Sequence, residues 1–223
     1  MGLLFPEISQ LPRAVTFGDS MRLLLLDAGF TRSVASQHQW IEQTLGDGFA
    51  GFDVAVYGES AYPAAKKDHE IGSLEVRRRW APLFDQGGLQ LAVEHNDRSY
   101  KRTQPMKQER MSTDGTVYVG GGGFASTRID EVARTGYGGW LSDRRPYLAA
   151  SASRPHAVLI HSNPKLPNTL FIEALAVDEP GGMIDRWTLD LAQPTPITAA
   201  FHALPHERTE VWLLVTATLI VVM

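Results

Sequence analysis

The chain has 223 residues, enough for one domain or one and a half with a sizeable core. Apolar residues make up 43% and charged residues 21%, and the net charge of −4 argues against a nucleic-acid partner, which demands a basic face. The absence of cysteine excludes a disulfide framework, thiolate zinc sites and cysteine nucleophiles together.

The first 20 residues carry scattered proline and glycine without a period and read as a loop-rich lead-in. They lack the basic start and long apolar run of a signal peptide. Residues 21–27, centred on Leu23-Leu24-Leu25-Leu26, fit strand or helix by period, and their shortness before Gly29-Phe30-Thr31 favours a buried strand. Residues 33–45 predict a helix, with Val34, Trp40, Ile41 and Leu45 at helical spacing and Gly46-Asp47-Gly48 as its stop. Residues 52–57 predict a second buried strand, followed by the loop Gly58-Glu59-Ser60-Ala61-Tyr62-Pro63.

A second amphipathic helix is expected over 72–84, ended or kinked near Trp80 by Pro82. Arg77-Arg78-Arg79, the only dense basic run, reads as a solvated face of that helix. A third strand begins at 89–93, so the order is strand, helix, strand, helix, strand, the α/β signature. Such sheets place their sites beyond the strand C-termini, which directs attention to loops 28–31, 58–63 and 94–103.

The second half changes character. A strand at 115–119 runs into the glycine segment 120–123, and 128–148 reads as irregular or helical. Segments near 157–161, 169–177 and 184–190 predict antiparallel strands, the last two joined at Asp178-Glu179-Pro180-Gly181-Gly182. The apolar end, 211–223, is too short for a membrane helix, and its β-branched content favours a strand.

The stretch Val93-Glu94-His95-Asn96-Asp97-Arg98-Ser99-Tyr100-Lys101-Arg102-Thr103 resembles the last metal-binding motif of the purple-acid-phosphatase-like (calcineurin-like) metallophosphoesterases. In that family a strand ends in His-x-His-x-Tyr-x-Arg-Thr; Tyr100, Arg102 and Thr103 fall in place, whereas the histidine positions read Asn96 and Arg98. Further segments match in order over roughly 17–190. Leu24-Leu25-Leu26-Asp27-Ala28-Gly29 resembles the strand into an Asp-Ser-Gly-His loop, and Gln39-Trp40-Ile41-Glu42-Gln43-Thr44-Leu45 resembles the Trp-Leu-Glu-x-x-Leu helix. Val56-Tyr57-Gly58-Glu59-Ser60-Ala61-Tyr62-Pro63 is similar to the Tyr-His-x-Pro-x-Tyr-Pro loop, and Ile184-Asp185-Arg186-Trp187-Thr188-Leu189 to the closing strand.

The resemblance implies an α/β fold: a partial metallophosphoesterase-like layered sandwich with a mixed sheet and antiparallel strands in its C-terminal half. Residues 1–190 would form that domain and 191–223 a C-terminal β extension. It covers the C-terminal half of such a phosphatase and places the motifs for the first metal ligands upstream of Met1.

A two-metal phosphoesterase needs clustered His, Asp and Asn ligands around ions roughly 3.5–4 Å apart. The family's loop histidine aligns with Gly58, which has no side chain, and Arg98 brings a fixed positive charge where a ligand is required. His95 stands one residue out of register, and the segment 120–123 lacks the expected acid. No cofactor is therefore expected. The residues kept as ligand-binding candidates are His95, Asn96, Asp97 and Arg98, against the plainer readings of a hydrogen-bonded loop histidine and an Asp97–Arg98 surface ion pair. Arg98 with Lys101 and Arg102 offers a metal-free anion site. The glycine segment has no following Lys-Ser/Thr and is not a P-loop.

The expectation is a non-catalytic metallophosphoesterase-like domain serving as a structural or interaction module in a homo-oligomer or larger protein assembly, with no nucleic acid and no membrane span. Half of a sandwich would leave an apolar sheet face and an edge that seek partners. The alternative is a metal-dependent phosphoesterase completed by ligands from another chain. A third reading takes Phe17-Gly18-Asp19-Ser20 as the nucleophile block of a GDS-type esterase with Ser20 as nucleophile, although no Asp-x-x-His partner is found.

Overall fold

The computed structural model describes residues 11–65, 69–124, 128–130, 132 and 145–191, with the strands at 211–215 and 220–222 as backbone. Most of the segment 128–148 read from sequence as irregular or helical lies outside these residues.

Seven strands form the first sheet: β1 (Arg13–Phe17), β2 (Met21–Leu25), β3 (Phe52–Tyr57), β4 (Leu91–Glu94), β5 (Tyr100–Thr103), β8 (Val117–Gly120) and β9 (Leu148–Ala152). Their spatial order is β1-β2-β3-β4-β8-β5-β9. The four central strands β2, β3, β4 and β8 run parallel, while β1, β5 and β9 pair antiparallel at the flanks. The hairpin β6 (Met106–Lys107) and β7 (Arg110–Met111) stands apart.

Parallel central strands are buried on both faces, which explains the apolar runs 23–26 and 54–57; the charged pair inside the strands, Arg22 and Asp53, is buried and hydrogen-bonded to each other at 2.7 Å. Leu23, Leu25, Val54, Leu91, Val93, Val117 and Val119 face the second sheet. Their neighbours Leu24, Ala55, Tyr57, Ala92 and Tyr118 face the helices. Those helices are α1 (His38–Leu45), entered through a 3₁₀ turn at Val34–Gln37, then α2 (Ile71–Arg79) and α3 (Ala81–Gly87). The single helix expected over 72–84 is thus two. Pro82 occupies the first turn of α3, where its missing N–H costs nothing, so it opens a helix rather than ending one. Trp80 sits fully buried at the junction; its Nε1–H donates to Val34 O at 2.9 Å and its ring meets Tyr57 edge-on at 5.3 Å.

The second sheet is antiparallel, in the order β12-β11-β10-β13-β14: β10 (His156–Asn163), β11 (Leu166–Ala176), β12 (Met183–Asp190), β13 (Val211–Val215) and β14 (Ile220–Val222). The predicted 178–182 turn joins β11 to β12, with Gly181 at φ 73°. The strands at 211–215 and 220–222 join this same sheet through β10.

Three sequence expectations change. The lead-in contains β1, whose turn Phe17-Gly18-Asp19-Ser20 is a hairpin bend with Ser20 N–H donating to Phe17 O at 3.3 Å. That bend enters β2 from its N-terminal side, at the opposite end of the sheet from the loops beyond the parallel strands, so Ser20 is placed as a turn residue. The first sheet has helices on one face and the second sheet on the other, so neither of its faces is the uncovered apolar surface anticipated from half a sandwich. Among the described residues, no helix is long and apolar enough to cross a membrane.

Candidate functional site

The loops beyond the C-termini of β2, β3, β4 and β8 gather at one end of the first sheet. After β2, the Asp27 carboxylate accepts N–H bonds from Gly29 (3.1 Å), Phe30 (2.7 Å), Thr31 (2.8 Å) and Arg32 (3.0 Å), and the Thr31 hydroxyl as well. Burial pushes this carboxyl up, but the bonds from Thr31, Phe30 and Arg32 outweigh it and hold the pKa below the ordinary value. The group closes its own loop.

After β3, Gly58 lies beneath Phe30: a Cβ there would stand 2.9 Å from the Phe30 ring. Glu59 reaches the start of α2, where a Cβ on Gly72 would meet its carboxylate carbon at 2.7 Å. Asn96 Nδ2 donates to Glu59 Oε2 at 2.7 Å, joining the β3 and β4 loops. Phe30 and Ile71 remain 85% and 83% exposed.

The four candidates after β4 scatter. Asp97 is fully buried and accepts the backbone N–H groups of Ala64 and Ala65, the latter at 3.0 and 3.1 Å. Arg98 pairs with Asp130 at 3.3 Å instead. The Asp97–Arg98 surface ion pair is therefore corrected: the two neighbours serve different partners, one inside and one at the surface. His95 is partly exposed, but its Nδ1 is buried and finds no hydrogen-bond partner among the described residues. Burial lowers its pKa to about 4, against a hydrogen bond to Gly121 that raises it.

The glycine segment packs against this strand end. A Cβ on Gly122 would stand 1.8 Å from the His95 carbonyl oxygen, and on Gly123 2.4 Å from His156 Nδ1. Gly122→Ala is expected to destabilise the domain by about 3 kcal/mol, the top of the overpacking range. A loss of unfolding free energy below ~0.5 kcal/mol by urea denaturation, as for an ordinary surface change, would contradict this packing.

The metal-free anion site read from Arg98, Lys101 and Arg102 does not assemble. Adjacent strand residues point to opposite faces. Lys101 is buried on the helix side, its ammonium on Glu94 and the Tyr62 carbonyl. Arg102 is buried between the sheets. Its Nε donates to Asp185 Oδ2 at 2.7 Å and its guanidinium lies 5.3 Å from the Trp187 ring centre. Tyr100 O–H donates to the same carboxylate at 2.6 Å; burial and then the Asp185 charge push its phenol far up, so it stays a donor. Thr103 Oγ1 accepts Tyr118 N–H at 2.9 Å. Of the three positions that match the family motif, Tyr100 and Arg102 tie the first sheet to the second through Asp185, and Thr103 ties β5 to β8 within the first sheet.

His156 opens β10 and is fully buried. Its Nδ1 lies 2.8 Å from Arg154 O and its Nε2 3.1 Å from Gly120 O. A neutral ring carries one N–H and donates to only one of them. Arg77 is less solvated than its run suggested, since its Nε donates to Ala61 O at 2.9 Å and its guanidinium covers the Tyr62 ring. Sequence reasoning missed the Glu94–Lys101 pair; the one signal for it was an acid closing the apolar strand Leu91-Ala92-Val93.

Among the described residues, no three His, Asp or Glu side chains gather as a metal-holding group. Gly58 supplies no donor, the Asp27 carboxylate is saturated by N–H and O–H groups, and Arg98 carries a like charge. This donor set does not fit a two-metal centre.

A mixed sheet that delivers its loops from parallel strands, backed by an antiparallel sheet, is a partial metallophosphoesterase-like fold. Among solved structures the chain is similar to a purple acid phosphatase from yellow lupin (Lupinus luteus), with a TM-score of 0.63 and 14% identity over 86% of this chain and 36% of that one. It is also similar to PhoD, with a TM-score of 0.57 and 14% identity over 90% of this chain and 45% of that one. A lower likeness, TM-score 0.49 at 10% identity over 87% of this chain and 62% of that one, is to GAP50, the anchor in the inner membrane complex of Plasmodium. The chain thus spans less than two thirds of each of these structures. No family model and no curated relative matches the sequence.

Proposed function

We propose that this domain is a non-catalytic metallophosphoesterase-like module that works through protein contacts in an oligomer or larger assembly. The observation that carries the reading is the commitment of the ligand positions to internal contacts. Asp27 closes its loop, Gly58 lies under Phe30, Asn96 is bound to Glu59 and Arg98 to Asp130. Among the described residues, Gly58 offers an ion no side chain and the other three positions are already engaged. Phe30 and Ile71 are exposed, and the edge strands β1 and β12 offer backbone groups for pairing.

The test combines two measurements on the purified protein. Hydrolysis of p-nitrophenyl phosphate with added manganese, zinc or iron is expected at the rate of the metal alone, and sedimentation is expected to return a species larger than one chain. Saturable hydrolysis above that background, lost in Asn96→Ala, would overturn the non-catalytic reading. A monomer at micromolar concentration would overturn the oligomeric one.

A further inference from the structure

We propose that Lys101 is a resident cation: its ammonium fills a site built by the Glu94 carboxylate and the Tyr62 carbonyl, and that site takes up a free primary alkylammonium when the lysine stem is cut away. This inference does not rest on the reading of the metal positions.

The site is defined on every side. Lys101 and Glu94 are both fully buried, and the ammonium donates to Glu94 Oε2 and to Tyr62 O. Glu94 Oε1 is fixed independently by the Tyr57 hydroxyl at 2.8 Å and the Ala61 N–H at 2.7 Å. The carboxylate therefore keeps its position without the lysine. One strand end (Glu94), one strand (Lys101) and one loop (Ala61, Tyr62) meet at this single charge pair.

The stem has a channel of its own. A Cβ on Gly120 would stand 2.7 Å from Lys101 Cγ and 3.3 Å from its Cε, so the glycine leaves the width of an unbranched alkyl chain. A buried carboxylate stripped of its counter-charge is strongly disfavoured. Two acceptors and a narrow channel select a primary ammonium with a straight chain over a quaternary one.

The test uses Lys101→Ala and n-propylammonium, which restores the removed atoms, with tetramethylammonium at equal ionic strength as control. We expect the thermal midpoint of Lys101→Ala to fall well below that of the wild type and to climb with propylammonium concentration, as ligand binding to the native state requires. Neither the wild type nor Lys101→Ala with Glu94→Gln should respond beyond the control. If Lys101→Ala does not fold alone, refolding with propylammonium is expected to restore the native circular-dichroism spectrum. The proposal is overturned by a folded Lys101→Ala whose midpoint moves with propylammonium no more than that of the wild type. It is equally overturned by a variant that stays unfolded with and without the amine.

Discussion

Replacing Asp185 by alanine is expected to destabilise the domain by about 3–5 kcal/mol, the loss that follows when a buried ion pair is broken by removing one partner. Asp185 is fully buried on β12 of the second sheet, and both of its oxygens are used from the first sheet. Tyr100 O–H and Arg102 Nε reach Oδ2 at 2.6 and 2.7 Å, and Arg102 Nη2 reaches Oδ1 at 3.3 Å. Alanine leaves a guanidinium and a phenol in the sandwich without an acceptor. At this chain length the loss corresponds to a fall in melting temperature of roughly 10 °C. Asp185→Asn, which keeps shape and one acceptor oxygen, should fall between the two. A loss for Asp185→Ala within the ~1 kcal/mol of an exposed pair would show that the network is not what joins the sheets.

The second large effect is acid destabilisation. Burial lowers the pKa of His95 to about 4 from its ordinary value, and burial lowers that of His156 in the same direction despite the carbonyls at both ring nitrogens. A base whose folded pKa is depressed is held neutral by the fold. Between about pH 4 and 6.5 the unfolded chain therefore binds more protons, and stability rises with pH. The contribution is complete above about pH 6.5 and is lost as the pH falls toward 4, amounting to at most roughly 3 kcal/mol from His95. Urea unfolding at a series of pH values should show this limb, and His95→Gln should flatten it. Asp27 acts in a separate window: its lowered pKa supplies stability above the ordinary carboxylate range that is lost only as the pH falls below it. A stability curve level from pH 7 to 4.5 would contradict the fold's holding both histidines neutral.

The parallel half of the fold was open to reading because its strands announce themselves. Leu23 to Leu26 and the run from Val54 to Tyr57 are apolar on both faces, which only a doubly covered strand requires. Strand β1 escaped because it is a short edge strand with mostly partial burial, set between Pro12 and Gly18. Strand β5 escaped for a different reason. Its residues Tyr100, Lys101, Arg102 and Thr103 carry polar atoms to both cores, so hydrophobic period is silent there and only the partners Asp185, Glu94 and Tyr118 make the burial possible.

The site shows the same limit. The loss of side chain at Gly58 and the charge at Arg98 are written in the sequence. The use of Asp97 was hidden, because its N–H donors on Ala64 and Ala65 lie more than thirty positions away and carry no signal in their side chains. Adjacent Asp97 and Arg98 suggested each other, and the fold gave each a different partner. Likewise the glycine segment reads as a turn until the carbonyl of His95 is seen against Gly122.

On the proposed function, the stretch 93–103 supplies joints of the fold, Tyr100 and Arg102 to Asp185 and Lys101 to Glu94, and no metal ligands. Isothermal titration of manganese and zinc into metal-stripped protein decides between the proposed function and a metal-dependent enzyme. The expected result is no saturable uptake at stoichiometric level by the wild type and no change in Asn96→Ala. One or two ions bound per chain, with affinity lost in Asn96→Ala, would contradict it.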